Sequence, residues 1–254
     1  MQDRQKTALV TGGAKRIGRA IVEDLAAHGF AVAIHCNRSV EEASALAKDV
    51  VRKGGRATVI EADLLDLPAA ESVIGRAADA LGPVGLLVNS ASIFEDDAAA
   101  APDFDVWDGH FSIHLKAPAL LTARLAETIA DGQEGLVVNI IDQRVWRLTP
   151  HYFSYTLSKS ALWTATRTLA QAFAPRLRVN AIGPGPTVPS SRQAQADFDA
   201  QVEGLIMKRG PAPGEFGTTI RYLWETRSIT GQMIALDGGQ HLAWQTPDVT
   251  GFVE

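Results

Sequence analysis

The sequence predicts one doubly wound α/β domain, in which helices cover both faces of a single parallel sheet. Three observations predict it. Short runs of apolar residues alternate with helical patterns, a glycine-rich turn follows the first of these runs, and no repeat or linker interrupts the 254 residues. A chain of this length can bury a substantial core as one unit. We therefore expect a single domain over residues 1–254.

The predicted elements alternate along the whole chain. The strands are the apolar runs Thr7–Thr11, Phe30–Ile34, Ala57–Ile60, Leu86–Val88, Leu136–Ile141, Leu177–Ile182 and Met233–Leu236. Helical spacing covers Ile17–Leu25, Glu41–Arg52, Ala69–Leu81, Val106–Ala130, Tyr155–Ala174 and Phe216–Trp224. Pro184–Arg209 is rich in Pro, Ser and Gln and predicts a loop with one short helix. Within it, we expect residues 186–210 to form a substrate-binding loop.

Composition excludes several classes of function. A formal net charge of -5 gives no basic face for nucleic acid. Cys36 is the single cysteine, which excludes an internal disulfide and a Cys-rich metal site, and the histidines lack metal-ligand spacing. The polar N-terminus does not resemble a signal peptide, and no apolar run is long enough to cross a bilayer. We expect a cytoplasmic protein with no metal, nucleic-acid or membrane partner.

The first strand-to-helix turn, residues 11–18, reads TGGAKRIG. Its glycines allow a sharp turn and a close approach of the backbone to a pyrophosphate at the helix N-terminus. A tight structural connection is the alternative, but the position between the first strand and the first helix favours a Rossmann-type nucleotide site. The predicted cofactor contacts here are Gly12, Lys15, Arg16, Ile17 and Gly18.

The end of the second strand indicates which dinucleotide is bound. Residues 35–39, HCNRS, offer no carboxylate before Glu41 for the ribose 2′-hydroxyl of NAD. Arg38 can pair with a 2′-phosphate, and the Ser39 hydroxyl can donate to it. A solvated basic turn is the alternative. We predict NADPH (NADP) as the cofactor, with contacts from His35, Asn37, Arg38 and Ser39.

Tyr155 and Lys159 form the candidate catalytic pair. They lie four residues apart on a predicted helix and so share one face. A cationic lysine beside a phenol favours the phenolate, which makes the tyrosine a usable proton donor or acceptor near neutral pH. Tyr-x-x-x-Lys alone is commonplace and usually structural. Its place after the fifth strand of a nucleotide-binding fold favours catalysis.

The order of the motifs resembles the short-chain dehydrogenase/reductase family over nearly the whole chain. They are Thr11-Gly12 with Gly18, Ala62-Asp63-Leu64, Asn89-Ser90-Ala91, Tyr155-x-x-x-Lys159, Arg178-Val179-Asn180, Pro184-Gly185 and Asp237-Gly238-Gly239. The resemblance implies that Tyr155 donates the proton, and that Lys159 holds the nicotinamide ribose and lowers the tyrosine pKa. It implies that Asp63 accepts from the adenine amino group. Further implied cofactor contacts are Leu64, Asn89, Ala91, Ser92, Pro184 and Gly185.

Three residues depart from the usual pattern of that family. Arg16 replaces a second glycine, and Phe94 lies at the mouth of the site. Asp142, thirteen residues before Tyr155, stands where most members have the catalytic serine. Together with Lys159, this set resembles the pteridine reductases, including the bacterial dihydromonapterin reductases. The resemblance implies catalysis by Asp142, Tyr155 and Lys159, and binding of a pterin- or folate-like substrate by Arg16, Ser92, Phe94, Asp142 and Tyr155.

The chemistry of these residues is consistent with a pterin. A flat ring could stack between Phe94 and the nicotinamide, and a water positioned by Asp142 could deliver the proton that reduction of a C=N bond requires. A core or loop aromatic and a structural carboxylate are the alternative interpretations of the two residues. His114 stands where the family usually has an active-site asparagine. It could bridge water, or it could be a satisfied helix histidine.

Two other functions remain open at this point. In one, the protein reduces a carbonyl or oxidises an alcohol, and Asp142 replaces serine by chance. In the other, it binds NADPH as a catalytically silent regulator, against which the Tyr155–Lys159 pair argues. The resemblance also implies a homotetramer formed through the long helices around Val106–Ala130 and Tyr155–Ala174.

Overall fold

Seven parallel strands form one sheet in the computed structural model, which describes residues 6–189, 193–246 and 250. The strands are β1 Thr7–Val10, β2 Ala31–Cys36, β3 Arg56–Glu61, β4 Leu86–Asn89, β5 Gly135–Ile140, β6 Leu177–Pro184 and β7 Met233–Leu236. Their order across the sheet is β3-β2-β1-β4-β5-β6-β7, and every neighbouring pair is parallel. Successive strands are added towards one edge of the sheet from β1 to β3 and towards the other edge from β4 to β7. Ligands of such folds bind where this order switches, between β1 and β4. The predicted doubly wound sheet is confirmed.

Helices cover both faces of this sheet. They are α1 Arg16–Ala27, α2 Val40–Arg52, α3 Leu67–Leu81, α4 Phe104–Phe111, α5 Ala117–Thr128, α6 Phe153–Phe173, α7 Gln195–Glu203 and α8 Pro213–Glu225. One hydrophobic core joins α1, α2 and α8 to the sheet, and a second joins α3, α5 and α6 to its other face. Every residue of β1, β4 and β5 is buried, which explains why these strands are apolar without alternation.

Buried amides connect the centre of the sheet to α6. Asn89, the last residue of β4, donates through Nδ2 to Asn139 Oδ1 at 2.8 Å. Asn139 in turn donates through Nδ2 to Thr166 Oγ1 on α6 at 2.9 Å. Because a buried polar group without a partner is unfavourable, this chain fixes α6 relative to the carboxyl ends of β4 and β5. The helix that carries Tyr155 is therefore held in register with the cleft.

The long helix expected over Val106–Ala130 is helical without a gap from Phe104 to Thr128, but it is not a uniform α-helix. The structure has α4, a π-helical turn at Ser112–Lys116 and then α5, which ends at Thr128. Pro118 explains the π-helical turn, because it has no N–H to donate to the carbonyl of the residue four positions back and its ring crowds that carbonyl. The N–H of Ala117 accordingly bonds to Ser112 O, five residues back. Such π turns often occur at functional sites, and this one carries His114.

The loop expected at 186–210 contains α7, so the predicted short helix is confirmed. Its ends approach each other closely: a Cβ on Gly210 would lie 1.9 Å from Pro186 O, so only glycine fits there. Residues 190–192 of the expected loop lie outside the described residues, as do 1–5, 247–249 and 251–254 of the expected domain.

Candidate active site

The candidate site lies at the carboxyl edge of the sheet, at the reversal point between β1 and β4. The glycine turn joins β1 to α1, the segment of Asn89 to Phe94 follows β4, and Asp142 follows β5. The first two turns of α6 bring Tyr155 and Lys159 to the same edge. The fold therefore gathers residues that are far apart in sequence into one cleft.

The glycine turn has the geometry that close approach requires. Gly12 has a φ of +62°, and a Cβ there would lie 2.9 Å from the Ala91 Cα. A Cβ on Gly18 would lie 2.2 Å from Gly12 O. Ile17 is half-buried, and Lys15 is exposed and pairs with Glu42 at 2.7 Å. The backbone at this helix N-terminus is therefore left open, as a pyrophosphate would need.

Arg16 connects the glycine turn to the loop after β6. Its φ of 51° lies in the left-handed region, which is sparsely populated by residues other than glycine. The guanidinium donates through Nη1 to Pro189 O and through Nη2 to Val188 O, each at 3.0 Å. Arg16 thus links the predicted cofactor turn to the predicted substrate loop.

His35 lies beneath the turn rather than on its open face, and its expected role as a cofactor contact stays a prediction. It is 2% exposed, its Nδ1 accepts from Gly12 N at 3.2 Å, and its Nε2 donates to Ala62 O at 3.1 Å. Burial lowers its pKa to about 4, so the ring is neutral at pH 7. His35 therefore holds the turn from beneath.

The residues expected around the 2′-phosphate do lie open. Asn37 and Arg38 are exposed, and Ser39 is the half-buried cap residue of α2. Among the described residues, Arg38 makes no hydrogen bond or ion pair. A free cation and a hydroxyl at the end of β2 match the chemistry of a phosphate site.

The other expected cofactor contacts line the rest of the cleft. Thr11, whose role the sequence did not indicate, accepts through Oγ1 from Ser90 N at 2.9 Å and Ala91 N at 3.0 Å and so fixes the segment after β4. A Cβ on Gly185 would lie 2.6 Å from the Asp237 Cα, so glycine is required there too. Of the remaining expected contacts, the exposed ones are Asp63 and Ser92, the half-buried one is Pro184, and the buried ones are Leu64 and Asn89.

The three expected catalytic residues come together at the end of β5. Tyr155 Oη donates to Asp142 Oδ2 at 3.0 Å, and Asp142 Oδ1 accepts from the backbone N of Arg144 at 2.9 Å. Lys159 Nζ donates to Ile140 O at 2.9 Å and lies 5.7 Å from the centre of the Tyr155 ring. A carboxylate, a phenol and an ammonium group thus share one largely buried corner of the cleft.

The net shift of the Tyr155 pKa is upward, whereas the effect expected of Lys159 is downward and stays a prediction. Burial and the Asp142 carboxylate raise the pKa of Tyr155 well above its usual value, and the Arg144 cation only partly opposes them. Burial also lowers the pKa of Lys159 to about 8, against the opposing effect of Asp142. Tyr155 is therefore a neutral phenol at pH 7, which suits a proton donor rather than a base.

Two stacked histidines pack against the Tyr155 ring. The rings of His110 and His114 lie 5.5 Å apart with an interplanar angle of 14°. Both meet the Tyr155 ring nearly at right angles, at 5.8 and 5.3 Å. Burial lowers the pKa of each histidine, so both are neutral at pH 7. The two neutral imidazole rings pack against the Tyr155 ring and contribute to its burial.

Both nitrogens of His114 have protein partners. Ser158 Oγ donates to Tyr155 O at 2.8 Å, so His114 Nδ1 must donate to Ser158 Oγ at 2.9 Å. His114 Nε2 lies 2.8 Å from Ser92 Oγ, within hydrogen-bond distance. His110 is satisfied as well, by Ser154 Oγ at 2.7 Å and by the backbone N of Glu95 at 3.2 Å. The structure supports the satisfied-histidine interpretation of His114.

Phe94 lies at the cleft mouth in a small aromatic cluster. It is 37% exposed, stacks on Tyr152 at 4.4 Å with an interplanar angle of 29°, and meets Tyr155 edge-on at 4.7 Å. The Arg144 guanidinium lies 5.4 Å from the Phe94 ring centre and 5.0 Å from that of Tyr152. The sequence did not indicate Tyr152 or Arg144. The signal for Arg144 was its position two residues after the unusual carboxylate.

The described residues contain neither a helix suited to span a membrane nor a cluster of side chains suited to hold a metal ion. None of the helices within 6–189 and 193–246 is long and apolar enough to span a membrane. Across the same ranges, no group of three or more His, Cys, Asp or Glu side chains is arranged to hold a metal ion. Cys36 is a buried free thiol whose pKa burial raises.

Comparison with known proteins gives a consistent result. The sequence pattern of short chain dehydrogenases matches residues 6–199. FolM alternative dihydrofolate reductase 1 from Brucella suis, crystallised with NADP, is 60% identical, with a TM-score of 0.94 over 96% of this chain and 98% of that one. A short chain dehydrogenase from Burkholderia cenocepacia, also with NADP, is 31% identical, with a TM-score of 0.87 over 94% and 99%. The 3-oxoacyl-[acyl-carrier-protein] reductase FabG of Staphylococcus epidermidis is 27% identical over 93% of this chain and 99% of its own length.

Proposed function

The chain belongs to the short-chain dehydrogenase family, and we propose that it is an NADPH-dependent reductase of a C=N bond in a dihydropterin- or dihydrofolate-like substrate. The observation that carries the proposal is the 3.0 Å hydrogen bond from Tyr155 Oη to Asp142 Oδ2. It puts a carboxylate beside the proton donor, where reduction of a ketone is better served by a hydroxyl. The 60% identity to a protein described as an alternative dihydrofolate reductase supports the same substrate class.

The cleft fits an NADP molecule. Gly12 and Gly185 leave spaces that a Cβ would close, and the exposed Arg38 with Ser39 suits a 2′-phosphate. Both solved relatives named above contain NADP. We propose that His35 acts by ordering the turn, and that the direct contacts are Gly12, Lys15, Arg16, Ile17, Gly18, Asn37, Arg38, Ser39, Asp63, Leu64, Asn89, Ala91, Ser92, Tyr155, Lys159, Pro184 and Gly185.

When bound, NADPH supplies the hydride to the carbon of the C=N bond, and the nitrogen takes up one proton. Tyr155 holds a proton at Oη, because its raised pKa keeps the phenol neutral at pH 7. Asp142 Oδ2 accepts that hydrogen bond and orients the phenol, and its carboxylate can also hold a water against the ring nitrogen. Once the proton has left, the Tyr155–Asp142 pair carries an additional negative charge. The buried Lys159 ammonium stabilises that charge.

The substrate ring would stack on Phe94. Tyr152 stacks on the Phe94 ring, and Phe94 is 37% exposed at the mouth of the cleft. The Tyr155 ring lies only 4.7 Å from the Phe94 ring, so a ring stacked on Phe94 would lie next to the proton donor. Ser92 and Arg16 border the same opening and complete the proposed substrate contacts, with Asp142 and Tyr155.

The deciding experiment is an assay of NADPH oxidation on a substrate panel. The panel holds dihydromonapterin, dihydrobiopterin, dihydrofolate and several ketones, including a 3-oxoacyl thioester because of the 27% identical relative. We expect turnover of at least one dihydropterin or dihydrofolate and little of the ketones. Turnover of ketones alone would establish the carbonyl-reductase alternative, and cofactor binding without any turnover would establish the silent regulator.

Assembly and location stay predictions. The family resemblance implies a tetramer through the helices around Val106–Ala130 and Tyr155–Ala174, where the structure has α4, α5 and α6. Light scattering of the purified protein tests it, and a monomeric mass would refute it. We also expect a cytoplasmic location, which cell fractionation tests.

A further inference from the structure

Among the residues that the structure describes, the Arg144 guanidinium has no polar partner, although it is partly buried. Its Nη1 is shielded from solvent and has no hydrogen-bond acceptor among the described residues. The same residues offer it no carboxylate within ion-pair distance. Its contacts are the faces of two aromatic rings, Phe94 at 5.4 Å and Tyr152 at 5.0 Å. Burying a charged N–H without an acceptor is unfavourable, and cation–π contacts compensate it only in part.

The backbone beside this cluster is also strained. Tyr152 has a φ of 55°, in the left-handed region that a bulky side chain rarely adopts. Such conformations persist where the surrounding packing requires them, and they concentrate at ligand-binding sites. Here Tyr152 stacks on Phe94, and the Arg144 guanidinium lies beside both rings. The strained residue and the unpaired cation thus belong to one preformed arrangement.

Arg144 lies on the substrate side of the catalytic group. Its side chain contacts Phe94, the proposed stacking surface, and its backbone N–H donates to Asp142 Oδ1 at 2.9 Å. Burial and Asp142 raise the pKa of Tyr155 and the Arg144 charge opposes them, so the guanidinium is close enough to act on the phenol. A group bound at Tyr155 and stacked on Phe94 would therefore lie beside the Arg144 guanidinium, which is partly exposed.

We propose that Arg144 is a substrate-binding residue that donates to an oxygen acceptor of the substrate. This inference rests on the proposed function. Two parts of the substrate class carry such an oxygen: the oxo group of the heterocycle, which pterins and folates share, and the carboxylates of the folate side chain. A guanidinium suits both, and bonds the carboxylate in two places.

The test is a kinetic comparison of Arg144→Met with Arg147→Met, both with saturating NADPH. Methionine keeps an apolar stem against the two rings but has no donor. Arg147 is a matched control, since it is an exposed arginine three residues further on whose side chain donates to Gln240 O instead. The bond that Asp142 accepts comes from the backbone of residue 144, so the substitution leaves it in place.

We expect KM to rise about 10- to 100-fold for Arg144→Met, with kcat within about threefold of the parent, and no change for Arg147→Met. Dihydrofolate and dihydromonapterin distinguish the two oxygens. A similar rise for both assigns the oxo group of the ring, and a rise for dihydrofolate alone assigns a side-chain carboxylate. Either result supports the proposal.

Unchanged KM for both substrates, or a loss of kcat alone, would overturn the proposal in favour of a structural role for the cation. Arg144→Lys keeps the charge without the planar fork and should give a smaller rise in KM, which provides a second test if the methionine variant does not fold. A parent enzyme that reduces neither substrate refutes the proposed function, and this inference with it. A parent that reduces them while both variants keep its KM refutes the inference alone.

Discussion

Around Tyr155, the polar groups find their partners inside the protein. The hydroxyl donates to Asp142 at 3.0 Å, Lys159 donates to Ile140 O at 2.9 Å, and Tyr155 and Lys159 are only 7% and 3% exposed. At the other end of the cleft, Arg38 is exposed and has no polar partner among the described residues. The proposed proton-delivering end is therefore complete before any ligand binds, while the proposed phosphate-binding end would be completed by its ligand.

This difference separates the expected consequences of substitution. At the preformed end, a change removes a group that acts on the reaction itself, so the loss should appear in kcat. At the open end, a change removes a contact that exists only with the cofactor, so the loss should appear in cofactor affinity. The predictions below test this division, beginning with the largest effect.

Tyr155→Phe removes only the hydroxyl that holds the proton. Since general acid catalysis typically contributes about 10²–10⁴-fold, kcat should fall by that factor or more. NADPH binding, measured by fluorescence titration, should remain close to that of the parent, because the ring keeps its packing against the two histidines. A variant with normal kcat would remove the phenol from the mechanism.

Asp142→Asn replaces a carboxylate by an amide of nearly the same shape. Its Oδ1 can still accept from Arg144 N, so the local backbone should be preserved. With the negative charge absent, kcat on a dihydropterin should fall by about 10²-fold, while substrate affinity changes little. Asp142→Ser serves as a comparison and should gain weak ketone reduction. Full dihydropterin activity of Asp142→Asn would contradict the proposed role of the carboxylate.

The pKa of Lys159 predicts how stability depends on pH. Burial lowers it from the ordinary 10.5 to about 8, so the folded protein releases this proton at a lower pH than the unfolded chain. The free energy of unfolding should therefore rise with pH from about 8 upwards, by at most about 3 kcal/mol for a shift of this size. The raised pKa of Tyr155 acts in the opposite direction above pH 10, which limits the useful range to about pH 7–9.5.

Urea unfolding of the parent and of Lys159→Met measures this effect. The free energy of unfolding of the methionine variant should not show this rise with pH. The same pH dependence in both proteins would contradict the assignment to Lys159. Catalysis should respond with the opposite sign: kcat/KM should fall as pH rises through about 8, because Lys159 loses its charge.

The same two ends show what could be predicted from the sequence. Residues whose function follows from their type and order, such as Gly12 with its φ of +62° and the Tyr155–Lys159 pair, lie where the motifs placed them. The direction of the Tyr155 shift was not predictable in this way. It depends on the Asp142 carboxylate and on burial, to which His110 on α4 and His114 on the π-helical turn contribute from more than forty residues away.

His35 and Arg144 also show that the sequence does not reveal which hydrogen-bond partners a side chain has. The sequence indicates that His35 ends the second strand, but only the three-dimensional structure shows that both of its nitrogens are engaged beneath the turn. Arg144 belongs to no motif, and its significance comes from an N–H that packing leaves without a partner. Hydrogen-bond satisfaction is a property of the folded surroundings, so residue type and spacing do not encode it.

Arg38→Ala is the prediction for the open end and has the smallest expected effect. Loss of a charge-assisted hydrogen bond to the 2′-phosphate should raise KM for NADPH about 10- to 100-fold. NADH lacks that phosphate, so its KM should hardly change, and kcat with saturating NADPH should stay near that of the parent. Arg52→Ala is the matched control, because this exposed arginine in the last turn of α2 is paired with Asp49 at 2.9 Å and lies outside the proposed cofactor contacts. If Arg38→Ala weakened the binding of NADPH and NADH equally, or lowered kcat at saturating NADPH, the result would contradict the division between the two ends of the cleft.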